Sequence, residues 1–166
     1  MQLEGQLKNL SKSAKMLVFC FLITLSFGFY TGLIFVNENT HSTFNGIEEH
    51  YIGNEDDEQS EIMKFKKSEK EIIAMVHNHV LSMSVIFFLL GGLLLLTNLS
   101  PLLKKILIVE PFISLLLTFG GIWIMWSGVY WFKYVVMFSG ILMTLTFTTS
   151  VLIILFQLVR KENKDI

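Results

Sequence analysis

Four long apolar blocks, none containing Lys, Arg or Asp, constrain this chain more than any other feature: Met16–Val36, His79–Thr97, Pro111–Tyr130 and Val135–Leu158. Each is close to the roughly 20 residues that carry a helix across about 30 Å of hydrocarbon at about 1.5 Å per residue. A soluble domain disperses its apolar residues in short periodic runs. Here 52% of 166 residues are hydrophobic, mean hydropathy is +0.58, and they are gathered in blocks. The pattern predicts an all-α fold, a bundle of four transmembrane helices with the second extended beyond the membrane. The first block is longer than a signal-peptide core and no small-x-small cleavage site follows it, so it reads as a retained helix.

Basic residues set the expected orientation. Lys8, Lys12 and Lys15 precede the first span, Lys104 and Lys105 link the second to the third, and Arg160, Lys161 and Lys164 follow the fourth. Lys64, Lys66, Lys67, Lys70 and Lys133 fall on the other side, where the long loop also carries ten acidic residues. Positive charge favours the cytoplasm in short loops. Both termini are therefore expected inside, with 37–78 and 131–134 outside. Trp126, Tyr130, Trp131, Phe132 and Tyr134 fit an interfacial aromatic belt at the outer link, and Tyr30 sits near the outer end of span one.

The chain divides accordingly: 1–15 as a basic amphipathic segment on the inner leaflet, with Leu3, Leu7, Leu10 and Ala14 at helical spacing; 16–36 as the first span; 37–78 as the outer loop; 79–97 as the second span; 98–110 as the inner link; 111–130 as the third span; 131–134 as the outer link; 135–158 as the fourth; 159–166 as the tail. Within the loop, Asn37–Gln59 reads as loop and turn. From about Ser60 one helix is expected to run into span two. Pro111 reads as a first-turn proline, which places Glu110 at the positive end of the third helix dipole. Gly28 and Gly32, Gly91-Gly92 and Gly120-Gly121 suit close helix approach. A single cysteine, Cys20, excludes an internal disulfide, and a net charge of −1 offers no basic footprint for nucleic acid.

The chemistry-bearing feature is histidine. His41, His50, His77 and His79 are the only four, and all flank the outer loop. Imidazole is the commonest transition-metal ligand and a usual axial ligand of haem. His77 and His79 point about 200° apart on a straight helix, so they would not chelate one ion from one face. Met75, His79 and Met83 do share a face, and a thioether beside an imidazole suits copper or haem iron. Glu48, Glu49 and Tyr51 surround His50 and could orient or join a ligand set.

Three stretches occur together: Tyr30-Thr-Gly-Leu, Thr40-His-x-x-x-x-Gly-Ile-Glu-Glu-His-Tyr-x-Gly53, and His77-x-His-Val-Leu-Ser82. The combination resembles bacterial four-helix inner-membrane proteins that recur near respiratory cytochromes. The resemblance implies a bacterial inner-membrane location and a haem or metal role for His41, His50, His77 and His79. Spans three and four contain no histidine, which argues against two stacked haems and leaves one site near the outer face.

Two functions compete. One is a redox or assembly subunit of a respiratory electron-transfer system, holding one haem b or one Cu, Fe or Zn ion at its periplasmic face and meeting other membrane or periplasmic redox proteins. The other is a cofactor-free structural accessory subunit of a membrane complex. A pH-responsive histidine sensor is a third, weaker alternative. Catalysis of its own is the least supported reading, since no Ser-His-acid set, phosphate loop or HExxH motif is present. The lipid bilayer is a partner in every version, and a homo-oligomer stays open.

Overall fold

The computed structural model describes residues 6–55 and 62–160. It is all-helical among these residues. A short 3-10 turn at Gln6–Asn9 leads into α1 (Lys12–Thr40), α2 (Phe44–Ile52), α3 (Glu69–Leu95), α4 (Pro101–Trp126) and α5 (Phe132–Val159). α1, α3, α4 and α5 are each long and apolar enough to cross a membrane. α3 has 27 residues, about 40 Å at the usual rise, so it exceeds the hydrocarbon thickness.

Local chemistry explains most helix ends. Ser11 caps α1 by accepting from the Ala14 N–H at 3.2 Å. Ser68 caps α3 in a reciprocal capping box: the Glu71 N–H reaches Ser68 Oγ at 3.4 Å, and the Ser68 N–H reaches Glu71 Oε2 at 2.8 Å. The helix therefore begins at Glu69, not near Ser60. Ser60 itself lies outside the described residues, as do Leu3, Lys161 and Lys164, and the residues from Ile62 to Ser68 are not helical.

Two other sequence expectations change. The stretch expected to be loop and turn contains α2, and α1 runs on to Thr40. The stretch 98–110 is not a link, because α4 starts at Pro101 and passes through Pro111 without a break. The first-turn proline is Pro101, and Pro111, expected in that role, lies inside the helix. The nine residues between Pro101 and Pro111 are apolar or good helix formers. Continuing through Pro111 forfeits one backbone bond, that to the Leu107 carbonyl, a loss tolerated in transmembrane helices.

α3, α4 and α5 form the core, with Leu94, Leu115, Met125, Phe147 and Ile154 among its fully buried side chains. Thr118 and Ser139 share a buried hydrogen bond of 2.8 Å across α4 and α5. α1 lies against this core but buries only Leu22 and Thr40. It is attached where Phe29 stacks on Phe147 at 3.8 Å and where the Tyr30 hydroxyl meets Thr148 Oγ1 at 2.8 Å.

The two ends of the bundle differ. At the termini end, Leu7 is fully buried and its N–H reaches the Leu96 carbonyl at 3.1 Å. There Gln157 brackets Asn98, accepting from its N–H at 2.8 Å and donating to its carbonyl at 3.2 Å. The opposite end carries α2 and residues 62–68 as a cap.

Candidate functional site

The cap is built by the stretch from Thr40 to Gly53. α1 ends because His41 and Ser42 both adopt left-handed backbone, at φ 50° and 51°. The turn is held from both sides. The His41 N–H reaches the Asn37 carbonyl at 2.7 Å, and the Ser42 hydroxyl donates to Asn37 Oδ1 at 2.7 Å. Thr40 is buried and accepts from the Ser42 N–H at 3.2 Å. Thr43 then caps α2, accepting from the Gly46 N–H at 3.0 Å.

Gly46 is required by space. A Cβ there would stand 1.9 Å from the Thr40 carbonyl oxygen and 2.8 Å from Thr43 Oγ1. Its absence lets α2 fold back on the end of α1 and bury Ile47. Gly53 ends α2 at φ +89°, and a Cβ would stand 2.7 Å from the Lys66 nitrogen. That close approach lets residues 62–68 pair with α2's end: the Lys67 N–H reaches the Tyr51 carbonyl at 3.1 Å, and the Asn54 N–H reaches the Lys64 carbonyl at 2.9 Å.

Side chains tie the cap to the core helices. Trp126, at the end of α4, donates its indole N–H to the Lys67 carbonyl at 2.8 Å, and the Lys66 ammonium lies 4.7 Å from the ring centroid. Lys133 donates to Glu48 at 2.5 Å and to Asn45 Oδ1 at 3.3 Å. Lys64 lies 3.7 Å from Glu49. Phe44 packs on Tyr134 with centroids 4.8 Å apart. These residues, with Gly46 and Gly53, carry the site's architecture. In the sequence the stretch that holds both glycines reads only as loop and turn, and Trp126 only as part of an interfacial aromatic belt.

The histidines fall into different surroundings. His41 occupies the left-handed end of α1 with its side chain exposed. His50 lies on α2 beside Tyr51, ring centroids 4.7 Å apart. Burial, then the charges of Lys67 and Lys64, lower its pKa and favour the neutral imidazole. Burial also pushes the Tyr51 hydroxyl up to about 12. His77 borders a shallow hollow on α3 with Glu69, Lys70 and Ile73. His79 stacks on Phe119 of α4 at 4.6 Å, and its Nδ1 is 2.9 Å from the Met75 carbonyl. Met75 and Met83 pack against the core. Glu48 and Glu49 face lysines. Among the described residues, no three His, Cys, Asp or Glu side chains gather as a group that could hold a metal ion.

One ionisable group stands out elsewhere. Glu110 lies within α4, one position before Pro111. Its Oε1 accepts from the Ser114 hydroxyl, and its buried Oε2 has no hydrogen-bond partner. The Glu-Pro pair looked like a helix start, which hid this placement. Counting back about 20 residues from Trp126 would have found it.

Four apolar helices of membrane-crossing length, closed at one end by a polar cap, define an integral multi-pass membrane protein. The chain belongs to the Aq_1264_TM family, a transmembrane helical domain, which matches residues 41–165. That match spans the cap and α3 to α5 and leaves α1 outside. Comparison with curated proteins and with solved structures gives no match.

Proposed function

We propose that the protein is a cofactor-free accessory subunit of a bacterial inner-membrane complex, and that α1 is the helix a partner packs against. The observation that carries this reading is the poor coverage of α1. It is a 29-residue helix that buries only Leu22 and Thr40, while α4 buries Leu107, Leu115, Phe119, Ile122, Met125 and others along its length. Gly28 and Gly32 lie one turn apart on α1, and nothing stands within 4 Å of a Cβ built on either. Small residues on an uncovered helix permit the close backbone approach that drives helix association in lipid.

The cap end is proposed to face the periplasm. The sequence assigns eight basic residues to the side of the termini and five to the cap side, where Lys64 and Lys133 also have carboxylate partners in Glu49 and Glu48. An excess of positive charge favours the cytoplasmic side.

The test is photocrosslinking in native membranes. A photoreactive residue replaces Phe27 on α1 or Phe88 on α3, both 73% exposed. The proposal expects a protein adduct of discrete mass from position 27, lost in Gly28→Leu/Gly32→Leu. Lipid adducts alone from both positions would sink it.

A second reading, one haem or metal ion at the cap end with a redox role, is favoured by a single observation. The Nδ1 of His79 meets its own helix's carbonyl, which leaves Nε2 as the available ligand atom. Absorption spectra of the purified protein, oxidised and reduced, separate the two readings. A redox-sensitive Soret band abolished by His79→Ala supports the haem version, and a flat spectrum removes it.

A further inference from the structure

Residues 62–67 lead from the cap into α3, and their groups divide into two sets. Lys64 and Lys66 turn into the cap. The Lys64 N–H meets Asn54 Oδ1 at 2.6 Å, its carbonyl meets the Asn54 N–H at 2.9 Å, and the Lys66 N–H meets Glu55 Oε1 at 3.3 Å. Their ammonium groups lie against Glu49 and the Trp126 ring. Ile62, Met63 and Phe65 are left out, with 71%, 62% and 70% of their surface exposed. Neither the N–H nor the carbonyl of Met63 or Phe65 has a hydrogen-bond partner among the described residues. One exposed apolar side chain needs no explanation, but three within four residues do.

Depth says what lies beside them. Lys105 is exposed near the start of α4, so its charge marks the other membrane boundary. About 20 residues further on is Met125, which puts Trp126 at the edge of the hydrocarbon on the cap side. The Trp126 indole holds the Lys67 carbonyl at 2.8 Å. On α1, about 20 residues on from Lys15 is Phe35, so Asn39 stands roughly 6 Å beyond the hydrocarbon, inside the headgroup layer. The Lys64 ammonium reaches the Asn39 carbonyl at 3.5 Å. The stretch is thus tied at Lys64 and at Lys67 to atoms of headgroup depth. Tyr130 and Trp131, exposed at the link after α4, continue the same belt.

That layer supplies both things the stretch lacks. Acyl chains begin just below it and suit Met and Phe side chains, as they do the apolar face of an interfacial helix. Phosphate and ester oxygens accept from free N–H groups. A protein partner would have to displace lipid to reach the same atoms.

We propose that residues 62–65 are a membrane-surface anchor, with Ile62, Met63 and Phe65 seated in the phospholipid leaflet at the cap end, where they hold the cap against the bundle. This surface is separate from α1 and does not depend on what packs there.

The test uses the full chain in phosphatidylcholine nanodiscs containing a phosphatidylcholine with a diazirine near the start of one acyl chain. After irradiation, peptide masses should show label on 62–65 as well as on the lipid-facing side of α5 at Leu145 and Leu152, both exposed. Label on α5 with none on 62–65 overturns the proposal and leaves the patch to water or to a soluble partner. Anchoring also predicts that Met63→Ser/Phe65→Ser speeds amide exchange over 62–68 about tenfold, the equivalent of burying roughly one such side chain. Both residues are exposed, so this variant removes no core contact. Exchange unchanged from the unaltered protein in the same nanodiscs overturns the proposal too.

Discussion

Gly46→Ala isolates the cap. In most helices this exchange is stabilising by about 0.5–1 kcal/mol, because alanine loses less backbone entropy on folding. Here the added methyl would stand 1.9 Å from the Thr40 carbonyl oxygen and 2.7 Å from the Thr40 carbonyl carbon. Both atoms belong to backbone, so no side chain can swing away. α2 must lift from the end of α1. Overpacking of this kind costs about 1–3 kcal/mol. Lifting also threatens the Thr43 cap on Gly46, worth about 1 kcal/mol, and part of the burial of Ile47, up to about 2 kcal/mol. A net loss of about 2–4 kcal/mol is expected once the helix-propensity gain is subtracted, which raises cap opening by about 30- to 1,000-fold. Amide hydrogen exchange on the protein in nanodiscs reads this directly. Residues 44–52 and 62–68 should lose protection, while α4 and α5 keep theirs. Gly28→Ala is the control, since nothing lies within 4 Å of its built Cβ. Protection of the cap that is unchanged or increased in Gly46→Ala would refute the close-approach reasoning.

His50 has a lowered pKa, so the folded cap resists its protonation. The unfolded cap then binds more protons at acidic pH, and cap stability should be full above about 6.5 and fall as pH drops from there towards the folded value. Exchange rates measured across this range should steepen in the unaltered protein and flatten in His50→Gln. Trp126→Phe removes the indole donor to the Lys67 carbonyl and weakens the Lys66 contact. It should loosen residues 62–68 by about 1–2 kcal/mol, read as faster proteolysis between α2 and α3. Thr118→Val deletes the buried bond to Ser139 and should cost the bundle about 0.6 kcal/mol in detergent unfolding, the usual scale for such bonds in membranes.

Much was legible from the sequence because hydrocarbon admits few solutions. Backbone groups in lipid must be satisfied within the segment, so four uncharged blocks near Leu22, Leu90, Leu115 and Phe147 could only become helices. The bundle follows from that constraint alone. Histidine content was equally plain, but histidine placement was not. Sequence distance placed four imidazoles near one face. Tertiary structure then gave His41 to a helix end, His50 to the lysines and Tyr51, and His79 to Phe119. Helix ends were also hidden where two signals competed. Pro101 and Pro111 both suit a first turn, and in the folded chain the helix starts at Pro101, with Leu107 buried and Ile108 beside Gly91 of α3. That choice moved Glu110 from a helix start to the inside of a span. Composition and hydropathy thus determine that this chain is a membrane bundle, because those forces act residue by residue. Which polar groups meet, and which is left without a partner, depends on how helices distant in sequence are juxtaposed, and only the folded chain decides it.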